Sequence, residues 1–154
     1  MSDFAYFQFE ADFVESLRCI PMVVRCKLDT CGIKLKLDQW NRFELADRQE
    51  LAQRPCEQAA DIEAYRIYLT NLIHDRAQAE AKTLDIDPNP SWLDETQIPE
   101  ALLDKVSKAS TSLSLEQWRS LSPLQRFALI KLSQPSHESH NFLPALREFG
   151  LLGS

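Results

Sequence analysis

Residues 20–54, IPMVVRCKLDTCGIKLKLDQWNRFELADRQELAQR, are answered by residues 98–132, IPEALLDKVSKASTSLSLEQWRSLSPLQRFALIKL. A constant offset of 78 aligns the two without a gap. Nine of the 35 positions are identical: Ile20/Ile98, Pro21/Pro99, Lys27/Lys105, Leu35/Leu113, Leu37/Leu115, Gln39/Gln117, Trp40/Trp118, Arg48/Arg126 and Leu51/Leu129. The shared Leu-x-Leu-acidic-Gln-Trp core is too specific to be an accident of composition. Repeats usually repeat what holds a fold together. Pro21, Trp40, Pro99 and Trp118 are therefore read as anchors of the frame, and function is sought in what differs between the copies.

Each copy follows one plan. Ile-Pro breaks the preceding segment, because the residue before proline avoids the helical region while proline suits a first helical turn. A helix then carries Val23, Val24 and Leu28 and ends near Thr30–Gly32, with Gly32 as a left-handed cap; Pro99, Leu102, Leu103 and Val106 repeat it. Residues 33–37 alternate with period two, apolar against basic, and residues 111–115 match them with a neutral polar face. Both are read as extended, and a pseudo-two-fold relation between the copies would pair them in a minor two-stranded ribbon. Short helical turns follow at Asp38-Gln39-Trp40 and Glu116-Gln117-Trp118. Ser114 with Gln117 has capping-box spacing, and Ser122-Pro123 starts a helix through Leu132 whose counterpart is Leu45 to Arg54. Arg48 and Arg126 are expected to hydrogen-bond helix termini within their own copies.

Between the copies, Ile62, Tyr65, Leu69, Leu72 and Ile73 predict a long helix from Ala59 to about Leu84. A proline-containing linker follows, pinned by Trp92 and Leu93. The aromatic start (Phe4, Tyr6, Phe7, Phe9, Phe13) leads into a helix predicted over 10–19. A last helix runs from Phe142 or Leu143 to Phe149, stopped by Gly150. The expected fold is all-α: one domain over 1–154, an orthogonal bundle of about seven helices containing the units 20–54 and 98–132.

Composition narrows the function. With three glycines among 154 residues, no glycine-rich phosphate loop can be built. A net charge of −6 argues against nucleic acid as a partner. No 18-residue apolar run is present, so no membrane span is expected, and the acidic N-terminus does not read as a signal peptide. Cys19, Cys26, Cys31 and Cys56 crowd into the first third of the chain. They are read as reduced thiols in a cytoplasmic protein.

Candidate chemistry is sparse. The four cysteines could converge across the break at Ile20-Pro21 as a thiolate metal site. Their spacing matches no zinc motif, and the second copy carries Gln97, Asp104, Ala109 and Gln134 in their places. Buried thiols acting as small hydrophobes are the other reading, and no metal is assigned. His137 and His140 make half a metal site in a loop. The stretch from Asp29 fails as a calcium loop, since its twelfth position is Trp40. No general acid or base stands out, so the chain is not expected to be an enzyme.

The copies differ in charge. Arg18, Arg25, Lys27, Lys34 and Lys36 make the first locally basic inside an acidic protein, whereas the second keeps Lys105 and Lys108 in the comparable stretch. Such a patch suits docking to an acidic protein partner. These five residues are the candidate partner-binding set.

The stretch from Phe7 through Trp40, FQFEADFVESLRCIPMVVRCKLDTCGIKLKLDQW, resembles the signature of the nitrate reductase-associated proteins, the NarM-type family typical of cyanobacteria. The signature falls on Phe9, Glu10, Arg18, Cys19, Ile20, Pro21, Lys27, Leu28, Gly32, Leu35 and Trp40, and the likeness extends through the second IP…LSLEQW segment. The resemblance implies a cytoplasmic accessory protein needed for assembly, maturation or activity of assimilatory nitrate reductase. It carries over no catalytic residues and no cofactor for this chain. The alternative is a metal- or molybdenum-cofactor-handling protein using the N-terminal cysteines.

Overall fold

The computed structural model describes residues 7–10, 20–135 and 139–152. Eight α-helices and one two-stranded ribbon are found among them: α1 (Met22–Cys31), β1 (Ile33–Lys34), α2 (Leu37–Arg42), α3 (Leu45–Gln53), α4 (Ala59–Ala77), β2 (Lys82–Thr83), α5 (Glu100–Lys108), α6 (Leu115–Ser120), α7 (Pro123–Ser133) and α8 (Phe142–Glu148). Short 3-10 turns lie at Gln8–Glu10, Ser91–Leu93 and Ser139–Asn141. The all-α expectation with a minor ribbon holds. The helix predicted over 10–19 lies outside the described residues, apart from Glu10 in the first 3-10 turn.

The chain divides into two compact units, one containing Glu10–Asp87 and the other Phe7–Phe9 with Pro88–Ser154. Each holds one copy of the repeat. In the first, α1 packs on α4, and α4 also packs on α2 and α3. Its buried residues include Val24, Leu28, Trp40, Phe43, Leu51, Tyr65, Leu69 and Ile73. In the second, α7 packs on α5, α8 and the Ser91–Leu93 turn. Leu102, Val106, Trp118, Phe127, Leu129, Leu132 and Leu146 are buried there.

Every helix of the first copy restarts in the second at the same offset: Met22 with Glu100, Leu37 with Leu115 and Leu45 with Pro123. Capping explains why. Gln39 Oε1 accepts from the Lys36 N–H at 3.0 Å, and Gln117 Oε1 accepts from the Ser114 N–H at 2.8 Å. A glutamine at the third helical position thus satisfies an otherwise orphaned backbone donor in both copies. The next helices use Asp47 on the Glu44 N–H and Gln125 on the Ser122 N–H, both at 2.9 Å. Proline occupies the first position of α7, as Ser122-Pro123 predicts.

Gly32 closes α1 with φ +79° and ψ 35°, the left-handed cap read from the sequence, and its N–H donates to Leu28 O at 2.9 Å. A Cβ there would stand 2.8 Å from Ile86 Cγ1. Three expectations need correction. The long helix stops at Ala77, where Gln78 takes a left-handed conformation (φ 53°) and its N–H donates to His74 O. Beyond it, residues 79–81 offer no apolar stripe to continue a helix. Instead Lys82–Thr83 form β2, which pairs antiparallel with β1 in the register Ile33↔Thr83, Lys34↔Lys82. The partner of residues 33–34 is therefore not 111–115, where residues 111–114 are irregular and Leu115 already opens α6. Finally, Trp92 packs edge-on to Phe127 at 4.9 Å, whereas Leu93 is 55% exposed.

Candidate functional site

The duplicated Trp–Arg pair is a built unit in both copies. The Arg48 guanidinium lies 5.9 Å from the Trp40 ring and Arg126 5.7 Å from the Trp118 ring, within cation–π range. Arg48 Nη2 donates to Phe43 O at 2.8 Å, just past the end of α2. Arg126 Nη1 donates to Trp118 O at 3.3 Å, in the last turn of α6. Both arginines therefore serve helix termini in their own copies. The copies part at the remaining donors. Trp118 Nε1 donates to Asp94 O and Arg126 Nε to Trp92 O, both at 2.8 Å. Trp40 Nε1, Arg48 Nε and Arg48 Nη1 are buried without a hydrogen-bond partner among the described residues.

Lys27 is not part of a surface patch. It is half-buried, and its Nζ donates to Ala52 O at 2.7 Å and Arg54 O at 2.6 Å, capping the end of α3. Burial lowers its pKa, against the opposing pull of Cys56, Cys26 and Glu57. Arg25 is also half-buried, with Nη1 3.9 Å from Met22 Sδ. Arg18 lies outside the described residues. Of the five candidate cations, Lys34 and Lys36 stand exposed. The ribbon adds one that the sequence reading missed: Lys82, exposed and directly across from Lys34. Its only sequence signal is that it follows a helix whose stripe has faded, which does not reveal a strand.

The cysteines separate. Cys19 lies outside the described residues, Cys26 is half-buried, and Cys31 and Cys56 are buried with free thiols. Their Sγ atoms sit 3.8 Å from Leu28 O and Lys27 O respectively. Burial pushes the Cys31 thiol up to about 11 and the Cys56 thiol up to about 12. Metal ligation and nucleophilic attack need the thiolate, which this setting disfavours. Among the described residues, no three His, Cys, Asp or Glu side chains come together as a metal site. His137 lies outside the described residues, and His140 is exposed.

Several buried polar groups are used in framing the fold. The Glu10 carboxylate, fully buried, accepts from the Met22 N–H at 2.7 Å at the start of α1. Asp47 holds Arg76 Nε at 2.9 Å besides capping α3. Tyr65 donates its hydroxyl to Leu51 O at 2.8 Å, and Arg66 donates to Cys31 O at 2.7 Å. In the second unit, a shallow groove of about 520 Å³ is lined by Gln8, Phe9, Pro144, Arg147 and Glu148. Its carboxylate is already engaged, accepting from the Gln8 and Phe9 N–H groups at 3.0 and 3.2 Å. No helix among the described residues is long and apolar enough to cross a membrane.

These are the features of a capped helical scaffold in which several buried side chains serve the backbone at helix ends. Residues 6–149 match the family of conserved nitrate reductase-associated proteins, and the chain belongs to that family. No curated protein and no solved structure matches it.

Proposed function

We propose that this chain is a non-enzymatic accessory protein of assimilatory nitrate reductase, acting in the cytoplasm by binding the reductase during its assembly, maturation or activation. Family membership supports the reductase as the partner. The observation that carries the mode of action is the use made of buried polar groups. Glu10, Gln39, Asp47, Arg48 and Arg126 all bond backbone N–H or carbonyl groups near helix ends. Catalytic acids, bases and nucleophiles are instead aimed into a cleft with shifted proton affinities. The thiols whose pKa values are shifted are held protonated, which favours packing over catalysis or cofactor transfer.

The test is direct association. Purified chain and purified nitrate reductase, mixed and run on a sizing column, should co-elute, and adding the chain to an extract that lacks it should raise recovered reductase activity. Separate elution together with unchanged activity would remove this reading.

A further inference from the structure

Lys34 and Lys82 face each other across the ribbon of the first unit, and Lys36 follows Lys34 by two residues, at the N-cap of α2. Ile33 and Leu35 are buried while Lys34 and Lys36 are exposed, so the strand alternation puts both lysines on the solvent side. The antiparallel register sets Lys82, also exposed, directly opposite Lys34. None of the three forms an ion pair among the described residues.

Two of these placements work against the fold. Like charges directly across a strand pair destabilise it, so the Lys34–Lys82 register is locally unfavourable. Lys36 occupies the N-cap of α2 and makes no side-chain capping bond. Its counterpart in the second copy, Ser114, accepts from the Gln117 N–H at 3.1 Å in the same position. Lysine is a poor N-cap, and a cation at a helix start opposes the helix dipole. Both departures from local optimum add positive charge to the same stretch of an acidic protein.

We infer that the Lys34–Lys36–Lys82 face is a docking surface for an acidic protein segment. A positive island on a chain of net charge −6 attracts carboxylates locally, while the rest of the surface repels them. That orients the encounter as well as strengthening it. The inference rests on the accessory-protein reading for the identity of the partner, and the lysines supply the chemistry that meets it.

The experiment measures binding of the full chain to immobilised nitrate reductase, and in parallel to a fluorescent decapeptide of glutamate and aspartate, at low and moderate salt. The variants are Lys34→Glu/Lys36→Glu/Lys82→Glu and Lys82→Glu alone. The single variant turns the opposed lysines into an opposite-charge pair, so it should fold at least as well as the parent. The triple variant should bind both probes at least tenfold more weakly with a flatter salt dependence, and the single variant should lie between. Unchanged affinity and salt dependence on the reductase would overturn the docking surface while leaving the accessory reading intact. Ribbon-dependent peptide binding with no reductase binding by the parent chain would keep the surface and remove its assigned partner. No binding of either probe would overturn both.

Discussion

Replacing Lys36 by serine should make the protein more stable and a weaker binder. At the N-cap of α2 one half of a capping box already exists, since Gln39 Oε1 accepts from the Lys36 N–H at 3.0 Å. The other half is displayed in the second copy, where Ser114 Oγ accepts from the Gln117 N–H at 3.1 Å. The backbone of the two caps is nearly the same, with φ −86° at both and ψ 152° and 160°. A serine at position 36 therefore needs no rearrangement to reach the Gln39 N–H. Capping substitutions of this kind are worth about 1 kcal/mol, and relief of the unfavourable cation–dipole contact adds roughly 0.3 kcal/mol or more. In a chain of this size that corresponds to a rise in melting temperature of about 2–5 °C. Thermal and urea unfolding followed by circular dichroism would read it, with Ser114→Lys as the reciprocal change, expected to lose a similar amount. The reasoning fails if Lys36→Ser is neutral or destabilising while Ser114→Lys costs stability, because equivalent caps cannot then be assumed.

Further outcomes follow from the same geometry. Trp40→Phe and Trp118→Phe each lose indole volume, but only Trp118→Phe breaks a hydrogen bond and strands the Asp94 carbonyl. The second should cost about 1–2 kcal/mol more than the first in urea unfolding, and equal costs would contradict the assigned bonding. Gly32→Ala should destabilise by at least about 1 kcal/mol, since it meets both a left-handed backbone and the Ile86 side chain at 2.8 Å. Raising the pH from about 8 to 11 should lower stability through Cys31 and Cys56. Their thiols ionise in the unfolded chain near the ordinary value of 9.0 but in the fold only near about 11 and about 12, so stability present below pH 9 is lost as pH climbs toward the folded values. Lys27, whose pKa is lowered by burial, acts in the opposite direction. Urea midpoints of the Cys31→Ala/Cys56→Ala variant should fall less steeply with pH than those of the parent.

What could be read from the sequence was local. Gly32, the Ser114–Gln117 box and Ser122-Pro123 place helix ends because caps depend on residues three or four apart. The duplication made Trp40 and Trp118 recognisable as buried anchors, and they are 1% and 0% exposed. What escaped was non-local. Nothing in Lys82-Thr83 distinguishes a strand from a fading helix, because β2 exists by pairing with residues some fifty positions earlier. The charge pattern could not say that Lys27 turns inward while Lys34 stays out. Lys27 points toward the end of α3, whose carbonyls lack helical partners, and sequence spacing does not reveal which helix end a lysine will meet. Two of the three lysines of the candidate surface were therefore legible, Lys34 and Lys36, with Lys82 supplied by the ribbon.

The gap-free register of the two copies also dictates where this chain can change length. Phe43 and Leu121 are buried, and the residue after each is the N-cap of the next helix, so two residues join α2 to α3 and α6 to α7. One residue more or fewer would turn the following helix by about 100° and carry Arg48 or Arg126 away from its tryptophan. Insertions are therefore shut out of these two joints. The Asp87–Pro88 junction, exposed and at the boundary of the compact units, lies outside both repeats. A cleavage site or a labelling tag belongs there.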